Sequence, residues 1–224
     1  VTLIVIRPEP GASSTAALAR ARGLAVAAFP LSEARRVDWE VPDPAQFDAL
    51  LVGSGNVFRL GGAWMEAFRS LPVHAVGRTT AEAARAAGFR VDVVGEGGLQ
   101  SILDAPAGQG MRYLRLGGAE RVAVTPAPGT VIEARTVYEI AHHAMPQPLA
   151  DSLRAGKALV LLHSAGAARH FAAECDRLGI DRALVRLACL GPRIAEAAGE
   201  GWAAVASAPQ PDDAALLALA AELV

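Results

Sequence analysis

The amino-acid sequence echoes itself. Phe47-Asp48-Ala49-Leu50-Leu51-Val52-Gly53-Ser54 is answered by Gly156-Lys157-Ala158-Leu159-Val160-Leu161-Leu162-His163-Ser164. Ala75-Val76-Gly77 through Ala81-Glu82-Ala83-Ala84 is answered by Cys189-Leu190-Gly191 through Ala195-Glu196-Ala197-Ala198. A weaker echo sets Ile6-Arg7 against Leu114-Arg115. The three keep one order at a nearly constant separation of about 110 residues, which marks a duplicated unit rather than one enlarged fold.

Each main echo joins a short apolar run, a Gly or Ser, and an Ala-rich helical stretch. Apolar runs without polar alternation read as strands buried on both faces, and their alternation with helices gives the α/β class with parallel sheets. Leu3–Ile6, Leu24–Phe29, Ala49–Val52 and Val73–Val76 read as strands. Ser14–Arg22, Val57–Phe68 and Thr79–Ala87 read as helices. Pro30–Val41 and Val131–Ala144 lack helical periodicity and read as extended connectors. Pro42 and Pro44 follow the first and Pro146 and Pro148 the second, so neither runs easily into a helix or a central strand.

Composition bounds the partners. With 52% hydrophobic and 20% charged residues, the chain of 224 residues is a compact globular one and not a disordered one. A net charge of −2 supplies no field for nucleic acid or an anionic membrane, so any anion must be held by local groups. Uncharged stretches are too short or too broken by Gly and Pro for a membrane span. Val1–Ile6 is closed by Arg7-Pro8 and lacks the marks of a signal peptide, which places the protein in the cytoplasm. Cys175 and Cys189 read as buried thiols, the latter within Leu187-Ala188-Cys189-Leu190.

Ligands of parallel α/β sheets sit outside the carboxyl ends of the strands. Here those ends carry Arg7-Pro8, Gly53-Ser54-Gly55-Asn56, Gly77-Arg78-Thr79-Thr80, Arg115-Leu116-Gly117-Gly118, Ser164-Ala165-Gly166 and Gly191-Pro192-Arg193. Small residues let backbone N–H groups approach a ligand, hydroxyls cap and donate, and helix N-termini favour negative charge. Taken singly, each loop is also an ordinary cap or turn. Together the six could hold many carboxylates. No nucleotide-binding fingerprint follows a strand. His74, His142, His143, His163 and His170 have no metal-ligand spacing, so no metal is expected. Ser54 and Ser164 do not sit in the sharp elbow of a serine hydrolase. Tyr138, in Thr136-Val137-Tyr138, falls on the second connector, where packing and chemistry are both open to it.

In this order over nearly the whole chain, these residues resemble uroporphyrinogen-III synthase. The match includes Arg7-Pro8, Pro30-Leu31, Phe47-Asp48-Ala49-Leu50, Ser54-Gly55-Asn56-Val57, Val76-Gly77 with Thr80-Ala81, Leu114-Arg115 with Gly117, Thr136-Val137-Tyr138, the Ser164 loop, Gly191, and Pro211 before Ala214. The resemblance implies two similar α/β lobes, each a parallel sheet flanked by helices, joined by a two-stranded connector. Lobe one would be discontinuous, 1–33 plus 142–224, and lobe two would span 34–141, with connectors near 30–41 and 131–144. It also implies a lyase that cyclises hydroxymethylbilane with loss of water and inversion of the last pyrrole ring, in haem biosynthesis. No cofactor would be needed. The partner would be a linear tetrapyrrole with eight carboxylates, with transient contact to the enzyme supplying it, and the protein would be a monomer. Tyr138 would assist departure of the hydroxyl, while Arg7, Ser54, Asn56, Gly77, Thr79, Arg115, Gly117, Ser164 and Gly191 would hold the substrate.

The sequence departs from the family at Gly53, Ala165 and Arg193-Ile194, and Val122–Gly129, with Pro126 and Pro128, is a poor helix where members usually have one. Two readings compete with the lyase. A two-lobed anion-binding protein without turnover would share the lobes but would ordinarily carry a signal peptide. A glycosyltransferase-like enzyme would show an acidic metal motif or a nucleotide loop.

Overall fold

The computed structural model describes residues 1–224, which divide into two compact units: Val1–Glu33 with Ala141–Val224, and Ala34–Ile140. The strands are β1 (Thr2–Val5), β2 (Val26–Ala28), β3 (Ser32–Arg36), β4 (Ala49–Val52), β5 (Val73–Val76), β6 (Val91–Gly95), β7 (Arg112–Gly118), β8 (Val131–His142), β9 (Ala158–Leu162), β10 (Arg186–Cys189) and β11 (Ala204–Ser207). The α-helices are α1 (Gly11–Ala21), α2 (Asn56–Leu60), α3 (Arg78–Ala86), α4 (Leu99–Asp104), α5 (Gln147–Arg154), α6 (Ala165–Arg177), α7 (Pro192–Ala198) and α8 (Asp213–Leu223). None is long and apolar enough to cross a membrane.

In the first unit five parallel strands lie in the order β11-β10-β9-β1-β2. The uninterrupted apolar runs are explained by burial on both faces. Leu3, Val5, Leu159 and Leu161 pack under α1 and α8, against Ala12, Ala19, Leu216 and Leu217. Ile4, Ile6, Val160 and Leu162 face the other way, against Leu149 and Leu153 of α5 and Phe171 and Cys175 of α6. Both cysteines are buried and unpaired to each other, and burial pushes the Cys175 thiol up to about 12 and the Cys189 thiol to about 11. They are inert core residues.

In the second unit the order is β3-β8-β7-β4-β5-β6, with β8, β7, β4, β5 and β6 parallel. Leu50, Val52, Leu114 and Leu116 pack on Val57 of α2 and on Ala81 and Ala84 of α3. The opposite face, carrying Ala49, Leu51 and Tyr113, is covered by Ile102 and Leu103 of α4 and by Val124. Both expected connectors are extended: β3 and β8 lie side by side, and β8 runs unbroken across the boundary between the units.

Two helical expectations need correction. The stretch read as one helix over 57–68 is broken: α2 ends at Leu60, Gly61 and Gly62 follow, and a 3-10 turn covers Ala63–Phe68. Gly62 adopts φ 73°, a conformation that helical periodicity does not reveal and that ends the helix. The first helix begins at Gly11, three residues before Ser14, because Pro8 and Pro10 carbonyls accept from Ala12 and Ser14 N–H groups. Residues 119–130, where family members usually carry a helix, contain none.

Candidate functional site

Because every strand pairing given for the first sheet is parallel, its carboxyl ends form one edge. Gly191, Ser164 and Arg7 follow β10, β9 and β1, three neighbouring strands, and so stand in that order along the edge. Ser164 caps α6, its hydroxyl accepting from the Ala167 N–H at 3.2 Å. Gly191 is the N-terminal flank of α7 and is extended, with open space where a Cβ would stand.

Arg7 is engaged with protein. Its Nη1 donates to Asp213 at 3.2 and 3.3 Å and to the Thr15 hydroxyl at 3.3 Å. Asp213 also accepts from Thr15 at 2.9 Å and bonds His163 Nε2 at 3.1 Å. Thr15, His163 and Asp213 were not legible as a group, being contributed by α1, the end of β9 and the start of α8. Burial holds the His163 ring below its ordinary pKa despite the neighbouring carboxylate, so the neutral ring donates from Nε2. Burial acts on Asp213 in the opposite direction, but the hydrogen bonds from His163 and Thr15 and the Arg7 charge outweigh it and keep the carboxyl ionised below the usual range. The guanidinium of Arg7 also lies where a side chain on Gly11 would stand, 2.5 Å from the ideal Cβ, so the glycine gives Arg7 its room.

The second sheet presents a second edge. Ser54 and Asn56 follow β4, Gly77 and Thr79 follow β5, and Arg115, Gly117 and Tyr138 lie on β7 and β8, all neighbouring strands. The Ser54 hydroxyl accepts from the Asn56 N–H at 3.3 Å, and the Asn56 side-chain oxygen accepts from Arg59. Gly77 adopts φ 74° with nothing near its missing Cβ, and the exposed Thr79 lies in the first turn of α3. Arg115 is buried to 8% exposure and donates to the Val122 carbonyl at 2.8 Å.

Tyr138 owes its placement to an irregularity. Gly117 pairs with Thr136 but Gly118 with Tyr138, so β8 has one extra residue at Val137. Such a bulge re-aims the side chains that follow it. Val137 and Tyr138 accordingly pack together against the core that carries Leu116. Gly118 is required beside it, since a Cβ there would stand 2.9 Å from the Tyr138 ring. No group of three or more His, Cys, Asp or Glu side chains is gathered in a way that could hold a metal ion.

The family described as Uroporphyrinogen-III synthase HemD matches this chain over residues 13–218. The chain belongs to the uroporphyrinogen-III synthase family. The family identity makes it a lyase-class enzyme of tetrapyrrole biosynthesis, acting on a small-molecule tetrapyrrole. Among solved structures, the chain is similar to the uroporphyrinogen-III synthetase of Helicobacter pylori, at 17% identity and a TM-score of 0.66, with 100% of this chain and 99% of that chain covered. It is also similar to a substituted uroporphyrinogen III synthase of the extreme thermophile Thermus thermophilus, at 19% identity and a TM-score of 0.55, covering 100% and 98%. No curated protein sequence matches significantly. At these identities the two structures speak for the fold, and the family match carries the activity.

Proposed function

We propose that this member of the family closes hydroxymethylbilane by loss of water with inversion of its last pyrrole ring. In this reading Arg7, Ser54, Asn56, Gly77, Thr79, Arg115, Gly117, Ser164 and Gly191 hold carboxylates of the substrate. The single observation that carries the reading is the family match over 13–218. The chemistry agrees with the residues present. Loss of the hydroxyl gives a reactive azafulvene, and unassisted closure in water yields the uninverted type I isomer. The protein has therefore to hold one conformation and exclude the wrong attack, work done by positioning. Glycines with open Cβ space, such as Gly77 and Gly191, leave room for backbone N–H groups to approach carboxylates.

The test is an isomer ratio. Given hydroxymethylbilane in the presence of chelator, the protein should release type III product, separated from type I by chromatography. Type I alone at the background rate would leave a tetrapyrrole binder without turnover.

Tyr138 is read as an auxiliary to hydroxyl departure. The hydroxyl is already a competent leaving group from an electron-rich pyrrole, so Tyr138→Phe should lower kcat about tenfold or less, short of the ~10²–10⁴ of an essential general acid. Type III synthesis should persist. A folded Tyr138→Phe protein with no activity above background would make the phenol indispensable.

A further inference from the structure

The loop after β7 differs from those after β4, β5 and β6 in the same sheet. β4, β5, β6, β9 and β10 each lead into an α-helix before the next strand, whereas β7 leads into residues 119–130 without one. The edge therefore lacks a helix N-terminus at β7, and two guanidinium groups take its place. Arg115, Gly117 and Thr136 share one face of the sheet, because β7 pairs with β8 in register and alternate residues share a face. Arg121 comes back over this face. Its Nη2 donates to the Thr136 hydroxyl, and its Nε lies 3.7 Å from where a Cβ on Gly117 would stand.

Neither arginine has a carboxylate partner. Arg115 is buried to 8% exposure, and its one bond is to the Val122 carbonyl. The Nε of Arg121 is buried and meets no acceptor. Burial and the charge of Arg121 both disfavour the Arg115 guanidinium as a cation. Of the nearby acids, Glu133 pairs with Arg135 and Asp104 accepts from Gln100, while Glu120, beside Arg121 in sequence, is exposed. Buried charges are ordinarily paired, and two like charges set together without an anion destabilise the fold that holds them. Such an arrangement persists where an anion completes it.

We propose that Arg121, backed by Arg115 and the Thr136 hydroxyl, forms a carboxylate-binding site at the carboxyl end of β7, and that Arg121 is the side chain that grips one substrate carboxylate. The assignment rests on the tetrapyrrole reading for its ligand and on the unpaired guanidinium groups for its place. Arg115 raises the positive potential from beneath, Thr136 orients Arg121, and Gly117 gives Arg121 room over the sheet. Nη1 of Arg121, together with the Nη2 proton that Thr136 does not take, makes the end-on pair of donors that a carboxylate accepts from arginine.

The test compares wild type with Arg121→Gln and Arg121→Lys. Three quantities are read: KM and kcat for hydroxymethylbilane, affinity for uroporphyrin III by tryptophan fluorescence quenching, and Tm without ligand. Arg121→Gln should raise KM about tenfold or more, the size of one charge-assisted hydrogen bond, with kcat within about threefold. It should weaken uroporphyrin III binding similarly and flatten its dependence on salt. Arg121→Lys should recover part of both, since it keeps the charge without the fork. The ligand-free Tm of Arg121→Gln should equal or exceed that of wild type, because a like charge beside Arg115 is gone.

A structural strap predicts the reverse, a lower Tm with unchanged affinity, and that result overturns the site. Unaltered KM and affinity in Arg121→Gln, with type III still produced, also overturn it while the tetrapyrrole reading stands. If wild type makes only type I product, that reading fails, and the uroporphyrin III titration still decides the site: weaker binding in Arg121→Gln supports it and equal binding removes it. Should Arg121→Gln not fold, Arg121→Lys carries the comparison, with intact wild-type affinity in the lysine variant counting against the arginine fork.

Discussion

Asp213→Ala should lower the stability of the first unit by about 2–3 kcal/mol, less than the loss for a fully buried ion pair because the side chain retains 22% exposure. The reason is the number of groups that depend on one carboxylate. Arg7, Thr15 and His163 all bond to it, and the truncation strands a guanidinium and a ring nitrogen together. In calorimetry the expected fall in Tm is about 5–10 °C. Asp213→Asn, which retains an acceptor oxygen, should fall between the two. A Tm for Asp213→Ala within about 2 °C of wild type would mean that Arg7 and His163 find other acceptors. The same network predicts a pH dependence. The folded ring of His163 resists protonation more than the unfolded one does, so its contribution is full above pH ~6.5 and declines as the pH falls from there through its lowered folded value. The Asp213 contribution persists to lower pH, fading as the pH drops below the ordinary carboxylate range toward its lowered pKa.

Glu174→Ala should destabilise by about 1–3 kcal/mol, because it leaves the buried Met145 N–H without its acceptor. Glu174 Oε2 accepts that bond at 2.5 Å just after β8 has crossed into the first unit, and Arg177 closes on the same carboxylate at 2.6 and 2.7 Å. The exposed half of Arg177 makes its charge the lesser contributor. Glu174→Gln keeps the acceptor and should cost less than the alanine variant. The Arg177 guanidinium and the Met145 N–H hold the Glu174 carboxyl down to about 2 against the burial that would raise it. The stability it contributes is therefore full above pH ~4.5 and is lost as the pH falls toward 2, so Glu174→Gln should flatten the acid limb of a stability profile. An acid limb of unaltered slope would remove Glu174 from that account.

The α/β class and the paired lobes were legible because duplication leaves ordered echoes and because strands buried on both faces must be apolar throughout, as in Leu159–Leu162. Elements whose ends depend on backbone geometry were less so. The helix read over 57–68 has the right periodicity, and only the positive φ of Gly62 shows that it stops. Sequence also places Arg7, Ser164 and Gly191 at strand ends correctly, since Gly, Ser and Pro punctuate those ends. It does not reveal that Arg7 is held by a side chain from α8, because Asp213 carries no local mark beyond its position beside the capping Asp212. Arg121 was missed for a similar reason. Its relation to Arg115 follows from a loop folding back over Gly117, and only the Gly117-Gly118 pair hints at the room left for it.

The order in which the chain is made bears on how it folds. β1 sits between β2 and β9 in its sheet, and β9 lies more than half the chain later, after the whole of the second unit. On a ribosome, β1 and α1 emerge well before β9 and have no β9 to pair with, while the contiguous second unit can complete its own core as soon as it has emerged. Until β9 and β10 arrive, Leu3, Ile4, Val5 and Ile6 lack the partners that bury them. A segment made before the second unit is thus sheltered only after it, and the interval in which its apolar edge is open grows with every residue of the intervening unit.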